Sequence, residues 1–191
     1  MKQIKDLPTS VAKKSKATKV AENKMREIKI EKIVLNIGTH GDTANMEKAK
    51  SLLGKISKKK VVETTAKKRL ASWKIRIGLP IGIKVTLRGK EAEELLGRLL
   101  LAVNNKLNPK SFTENGFSFG VPEYIDIPEV KYDPKIGIIG LEVAVSLMRR
   151  GYRVKNRRLM KVKIHKTHTI SKEDAIKFAQ DKLGVNTGED Q

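Results

Sequence analysis

The sequence predicts an α+β fold: a largely antiparallel sheet with two helices on one face, an open basic face, basic tails and a short C-terminal helix. Three observations carry this. Several segments alternate apolar and polar residues with a period of two, as half-buried strands do. Two others repeat apolar residues at helical spacing. Finally, 41 Lys+Arg against 21 Asp+Glu in 191 residues give a formal charge of +20, which a folded core does not require for itself. Strands with one apolar and one polar face fit a sheet that helices cover on one side only. The length suits one domain with tails or at most two small domains, and a hydrophobic content of 39% is enough for a packed core.

The elements follow in order. Residues 1–24 lack a sustained hydrophobic period and are expected to form a flexible basic tail. Ile28–Ile37 is β-branched and apolar, with Ile33, Leu35 and Ile37 on one face and Lys32, Val34 and Asn36 on the other. Met46, Ala49, Leu52, Leu53 and Ile56 form a helical stripe behind Asp42/Thr43 as cap. Val61–Lys67 is a strand with Glu63, Thr65 and Lys67 on one side. In Ile81–Arg88, Ile83, Val85 and Leu87 oppose Lys84, Thr86 and Arg88.

The second helix has the stronger stripe: Ala92, Leu95, Leu96, Leu99, Leu100, Val103 and Leu107. Glu91, Glu93 and Glu94 favour its N-terminal dipole, and Asn108-Pro109 stops it. Ile138–Met148 sets Ile139, Leu141, Val143, Val145 and Leu147 against Gly140, Glu142, Ala144 and Ser146, completing an order β-α-β-β-α-β-β. A short helix at about 171–183 starts at Ser171-Lys-Glu-Asp174, a capping box with Asp at N3, and ends at Gly184. Asn186 to Gln191 are expected to be loose. The organisation is thus a tail (1–24), an α+β domain (25–154) and a basic C-terminal extension (155–191).

Charge is segmental. Net charge is +5 over residues 1–24, +1 over 25–54, +11 over 55–90, −4 over 91–148, +10 over 149–172 and −3 over 173–191. Three basic blocks around a nearly neutral core point to a polyanion, with nucleic acid as the leading candidate. Other classes fare worse. The absence of cysteine excludes disulfides, thiolate metal sites and a cysteine nucleophile. No apolar run approaches the ~18 residues of a membrane span, and the Lys-rich start lacks the apolar stretch of a secretory signal, so a cytosolic protein without a membrane partner is expected. His40, His165 and His168 are too few for a zinc site, and Gly137-Ile-Ile-Gly140 lacks phosphate-loop spacing. Asp126, Glu129 and Asp133 lie among prolines in an expected surface loop, with no nucleophile–base pair nearby. Neither enzymatic activity nor a cofactor or metal is expected.

The unusual stretch is Thr65–Gly89, TAKKRLASWKIRIGLPIGIKVTLRG. Lys67, Lys68 and Arg69 precede the only Trp, Trp73. Lys74 and Arg76 then alternate with Ile75 and Ile77 before a Gly/Pro turn. Such an arm can lay cations on phosphates and stack an aromatic ring on a base or sugar, or it can be an edge hairpin whose charges discourage sheet pairing. Lys84, Thr86 and Arg88, with Asn36, offer cations and neutral hydrogen-bonding groups to an RNA backbone and its 2′-hydroxyls; the plainer alternative is a solvated strand face. Aromatics make up only 4% of residues, which disfavours a base-stacking platform. Arg149, Arg150, Arg153, Lys155, Arg157 and Arg158 form a third block suited to anchoring in a folded RNA, with steep salt dependence.

IVLNIG (Ile33–Gly38), the Thr65–Gly89 stretch, NGFSFGVPEYIDIPEVKYD (Asn115–Asp133) and GIIGLEVAVSLMRRGYRV (Gly137–Val154) resemble, in order, the large-subunit ribosomal protein L5 (uL5) family. The basic Arg149–Lys163 run and the Ser171 helix are similar to its archaeal/eukaryotic form, and the 24-residue leader departs from it. The resemblance implies an α+β fold, association with large-subunit rRNA and binding of 5S rRNA in the central protuberance. It places 5S contacts on Asn36, Thr65, Lys67, Thr86 and Arg88, to which strand alternation adds Lys84. It also implies that the Ala71–Gly82 loop reaches peptidyl-site tRNA, with Ser72, Trp73, Lys74 and Arg76 as contacts. The neighbours it implies are protein L18 (uL18) and a small-subunit bridge partner. From charge alone a DNA- or chromatin-binding protein is the alternative, and an RNA-modifying enzyme is a second.

Overall fold

The structure is a computed structural model that describes residues 23–188. The expected basic leader therefore lies outside the described residues, apart from Asn23 and Lys24. The described chain forms two compact units: Ile30–Leu147 with the segment from Ile170 onward, and the residues up to Lys29 with Met148–Thr169.

The larger unit holds the sheet, with β1 (Ile28–Gly38), β2 (Val62–Thr65), β3 (Pro80–Leu87), β4 (Phe112–Thr113), β5 (Gly116–Val121) and β6 (Leu141–Arg149) in the order β2-β3-β1-β6-β5-β4. The β1–β3, β2–β3, β4–β5 and β5–β6 pairs are antiparallel. Alternation decides which face is dry. Ile33, Leu35, Ile37, Ile83, Val85, Leu87, Phe117, Phe119, Val121, Leu141, Val143, Val145 and Leu147 are all buried.

Helix α1 (Thr43–Ser57) starts where Asp42 accepts the Ala44 N–H at 3.0 Å, and it buries the five stripe residues read from the sequence. Helix α2 (Lys90–Ala102) buries Ala92, Leu95, Leu96, Leu99 and Leu100. It is shorter than its stripe suggests. Val103 is already the C-cap, and Asn104 and Asn105 both adopt positive φ, so Leu107 reaches the core from outside the helix.

Other differences have physical causes. The sheet has six strands, one more than the predicted order, and β4–β5 is the hairpin that sequence reading did not assign residue by residue. It closes through Glu114-Asn115, with Asn115 at φ 62, and sets the Phe117 ring tilted against Phe112 at a centroid distance of 5.2 Å and stacked on Phe119 at 6.4 Å. β6 begins at Leu141, opposite Val121, beyond which Pro122 has no N–H to continue the ladder; a Cβ on the preceding Gly140 would lie 2.7 Å from the Pro122 carbonyl oxygen. The helix after Ser171 (Lys172–Leu183) has the capping box as read, and Gly184 takes the left-handed C-cap. That helix packs on β4 and β5. Of the expected loose end, residues 189–191 lie outside the described residues, and Asn186 is not loose. It pairs in parallel with Lys106, donating to the Asn105 carbonyl at 2.8 Å and accepting from the Leu107 N–H.

The smaller unit is held by polar contacts to backbone. Tyr152 is buried and donates its hydroxyl to the His168 carbonyl, and His168 meets its ring edge-on at 5.9 Å. A single-turn helix, α3 (Arg153–Asn156), follows, which makes the Lys172–Leu183 helix α4. Among the described residues no helix is long and apolar enough to cross a membrane, and no group of His, Cys, Asp and Glu could hold a metal ion.

Candidate nucleic-acid interface

Residues directly opposite each other in an antiparallel pair share a face. The register therefore lays out the open side in rows. One row runs straight across five strands. Val62 is opposite Lys84, Lys84 opposite Asn36, the Asn36 side-chain amide donates to Glu142 at 3.0 Å, and Glu142 is opposite Gly120. A second row has Thr86 opposite Val34 and Ala144 opposite Ser118. Lys84 and Thr86 are exposed, and Arg88 continues their parity just beyond the end of β3. The face is cationic on the β3 side and nearly bare on the β5 side, where Ser118 and Gly120 add little bulk.

Thr65 comes to this face by an irregularity. Thr64 pairs with Gly82 but Thr65 with Pro80, so β3 spends one extra residue and both threonines share the parity of Lys84. Glu63 therefore does not share a side with Thr65, as simple alternation suggested. It faces Ile83 and accepts from Lys50 of α1 at 3.0 Å. Lys67 lies past the end of β2 in exposed loop, so its approach to the face is not fixed by the ladder.

The side away from the open face consumes part of the basic block. Besides Lys50–Glu63, Lys59 pairs with Glu91 at 2.8 Å, Arg98 with Glu129 at 2.8 Å and Lys55 with Asp133. Exposed pairs of this kind add little stability, but they cancel charge locally. The Lys55 hydrogen bond, aided by the Lys135 N–H, holds the Asp133 carboxyl below its ordinary range.

The arm between β2 and β3 is an ordered extension of their hairpin. Ala66 donates to Leu79 at 2.8 Å and accepts from Gly78 at 3.0 Å, and farther out Leu70 and Ile75 exchange two backbone hydrogen bonds of 3.0 Å. The tip is a tight turn, Ala71-Ser72-Trp73-Lys74, with Lys74 at φ 54. Ile75 is buried and pins the arm, whereas Trp73 is 67% exposed and Ile77 71%. Ser72, Trp73, Lys74 and Arg76 are thus brought together at one exposed end.

The smaller unit divides the third block. Arg149 is buried, with Nη1 donating to the carbonyls of His168 and Thr169, so it is part of the unit's interior and not of its outer surface. His168 Nε2 in turn reaches the Arg150 carbonyl at 2.8 Å and must donate there, since a carbonyl only accepts. Arg150, Arg153, Lys155, Arg157 and Arg158 are exposed. Arg157 donates to the Met160 carbonyl at 2.8 Å, and this turn presents Leu159 and Met160 at 75% and 83% exposure between cations. The apolar tip and the Glu142–Gly120 end of the row were not singled out by sequence reading, although alternation had already placed Glu142 on the polar face.

Comparisons with known proteins agree along the chain. The family described as "Ribosomal protein L5" matches residues 23–76, and the C-terminal part of the same ribosomal family matches residues 80–178. The chain is 51% identical over 165 residues to the large ribosomal subunit protein uL5 of Nanoarchaeum equitans, covering 86% of this chain and 98% of that one. It is 46% identical over 164 residues to that of Archaeoglobus fulgidus (86% and 92%), and 44% over 165 to that of Sulfurisphaera tokodaii (85% and 93%).

Proposed function

The chain belongs to the ribosomal protein L5 family, a family of structural, non-enzymatic ribosome constituents, and from that premise we propose that it binds 5S rRNA through the open sheet face. In this reading it sits in the central protuberance of the large subunit of cytoplasmic ribosomes, beside protein L18 (uL18) and a small-subunit bridge partner. The observation that carries the reading is the cross-strand array of Lys84, Asn36, Thr86, Thr64 and Thr65, with Arg88 at its end. Cations spaced by neutral hydrogen-bonding groups match phosphates and 2′-hydroxyls. Among the described residues the face carries no aromatic ring, which suits recognition by shape and backbone over base stacking.

The β2–β3 arm is assigned to peptidyl-site tRNA. A rigid hairpin with an exposed indole at its tip and Lys74 and Arg76 beside it can stack on a sugar or base while meeting phosphates. The exposed cations Arg150, Arg153, Lys155, Arg157 and Arg158 form a second anchor, for large-subunit rRNA. The basic extension 155–191 and the 1–24 leader are assigned to the same polyanionic surroundings.

Relative affinity for 5S rRNA and duplex DNA at ~0.15 M salt, where non-specific binding fades, tests the assignment. Preference for 5S rRNA is expected; equal affinity overturns it and returns the DNA-binding alternative. For the arm, Trp73→Ala with Arg76→Ala should spare 5S binding and weaken tRNA-dependent steps. Loss of 5S binding would instead move the arm into the primary interface. Point changes are needed because Pro80–Gly82 belong to β3, and excising the whole loop would cut the strand.

A further inference from the structure

The row that ends on Glu142 and Gly120 opens into a groove of about 560 Å³, within the ~300–1,000 Å³ range of small-ligand sites. Its lining includes Gly120, which presents bare backbone, and the apolar surfaces of exposed Pro122 and half-buried Ile139. A Cβ built on Gly120 meets no atom of the described residues within 4 Å, so the space directly above it is open there. Asn36 and Glu142 also line this groove.

The chemistry of that pair differs from the rest of the face. A carboxylate can only accept, so the 3.0 Å contact from Asn36 Nδ2 to Glu142 Oε2 fixes the amide orientation and leaves Asn36 Oδ1 as an acceptor. A carboxylate takes about four hydrogen bonds, and Asn36 supplies one. Beside the cationic side of the face this spot therefore offers acceptors and repels phosphate. We propose that the groove holds an unstacked guanine base of the bound RNA, with Glu142 accepting from its N1–H and N2 amino group. Guanine alone among the unmodified neutral bases sets two donors side by side on its Watson–Crick edge. Adenine, cytosine and uracil each put an acceptor against the carboxylate. The apolar walls take the face of the ring, and Lys84, two strands from Glu142 in the same row, takes the adjoining phosphate.

This rests on 5S rRNA as the ligand, so the experiment is built to separate the two readings. 5S rRNA carrying sparse inosine in place of guanosine, which removes only the N2 amino group, is selected for binding to the full chain and the excluded positions are mapped. Wild type is expected to exclude inosine at one or a few unpaired guanosines, with affinity there reduced ~10-fold or more. Glu142→Gln, which replaces one acceptor by a donor, and Gly120→Val, whose Cβ has open space to project into the groove, should both erase that exclusion. Inosine tolerated everywhere at undiminished 5S affinity overturns the proposal, as does an exclusion unchanged in both variants. If 5S rRNA does not bind at all, the functional assignment fails and the groove is judged on guanosine monophosphate alone. Shifts of the Gly120 amide and the Asn36 side-chain amide that are stronger with guanosine than with inosine monophosphate support the guanine site, and equal shifts overturn it.

Discussion

The open sheet face and the 148–169 segment are both basic, yet they hold their charge in opposite ways. On the sheet, Lys84 and Thr86 are exposed because Ile83, Val85 and Leu87 between them are buried. Position is inherited from a packed core, so every side chain has a fixed neighbour two residues along or one strand across. In the 148–169 segment few apolar residues are buried, and the framework is instead a buried guanidinium, a tyrosine hydroxyl and a histidine converging on backbone around residues 150 and 168–169. There the cations are dense but their spacing is set by turns. The difference teaches that net charge states only that a polyanion is near; a ladder can read a surface, and a turn can grip one.

The largest expected effect tests whether the sheet's stability resides where its core is. Leu96→Ala removes a fully buried side chain of α2 and should cost about 2–5 kcal/mol in denaturant unfolding, whereas Leu159→Ala, at an exposed turn, should stay within about 0.5. Comparable losses would mean that the turn carries as much of the core as the sheet.

Next comes Lys84→Ala with Arg88→Ala, which should weaken 5S rRNA binding by a few kcal/mol, at ~1–2 per charge-assisted hydrogen bond, with an unchanged melting temperature. Undiminished affinity in a folded double variant would mean that the sheet does not read the RNA. A smaller change is expected from Arg157→Gln with Arg158→Gln. Affinity should fall evenly across RNAs, and the slope of log K against log salt should flatten by ~0.7–0.9 for each phosphate no longer neutralised. A sequence-selective weakening would erase the distinction between reading and gripping.

The smallest effect concerns the helix side. Since the folded Asp133 carboxyl titrates below the ordinary value of 3.8, its contribution is present above that value and lost as pH falls through the lowered one. Asp133→Asn should therefore lower the neutral melting temperature slightly and, by the same small amount, remove part of its decline below about pH 4. A decline of unchanged steepness would show that the Lys55 pairing does not persist in solution.

Much of this was legible in local pattern. The stripes of α1 and α2, the capping box at Ser171–Asp174 and the faces of β1, β3 and β6 all follow from residues within a few positions of one another. What was hidden depends on distant partners. The shift at Thr64/Thr65 exists because β3 inserts an extra residue opposite it, and nothing in β2 announces that. Gly-Phe-Ser-Phe-Gly-Val has the alternation of a strand, but its glycines weaken the signal, and its short hairpin is locked when Asn115 exchanges backbone and side-chain bonds with Ile170. Arg149 looks like any surface arginine until the carbonyls twenty residues onward are in place. For the interface, sequence named the cations correctly as exposed at Lys84 and Arg88 and could not see that Glu142 would come to stand beside Asn36.

Strand order carries one more consequence, for synthesis. β1 lies between β3 and β6, so one of its two edges has no partner until residues 141–149 leave the tunnel, roughly a hundred residues after β1 itself. At ~5–20 residues per second, that edge of Ile, Val and Leu stands open for roughly 5–20 s in every nascent chain. A bare edge is a template for pairing with another chain, so each newly made molecule passes through an aggregation-prone interval before it ever meets RNA. The charged Lys29, Glu31 and Lys32 at the start of β1 are then gatekeepers for that interval, guarding the strand while its last neighbour is still being made.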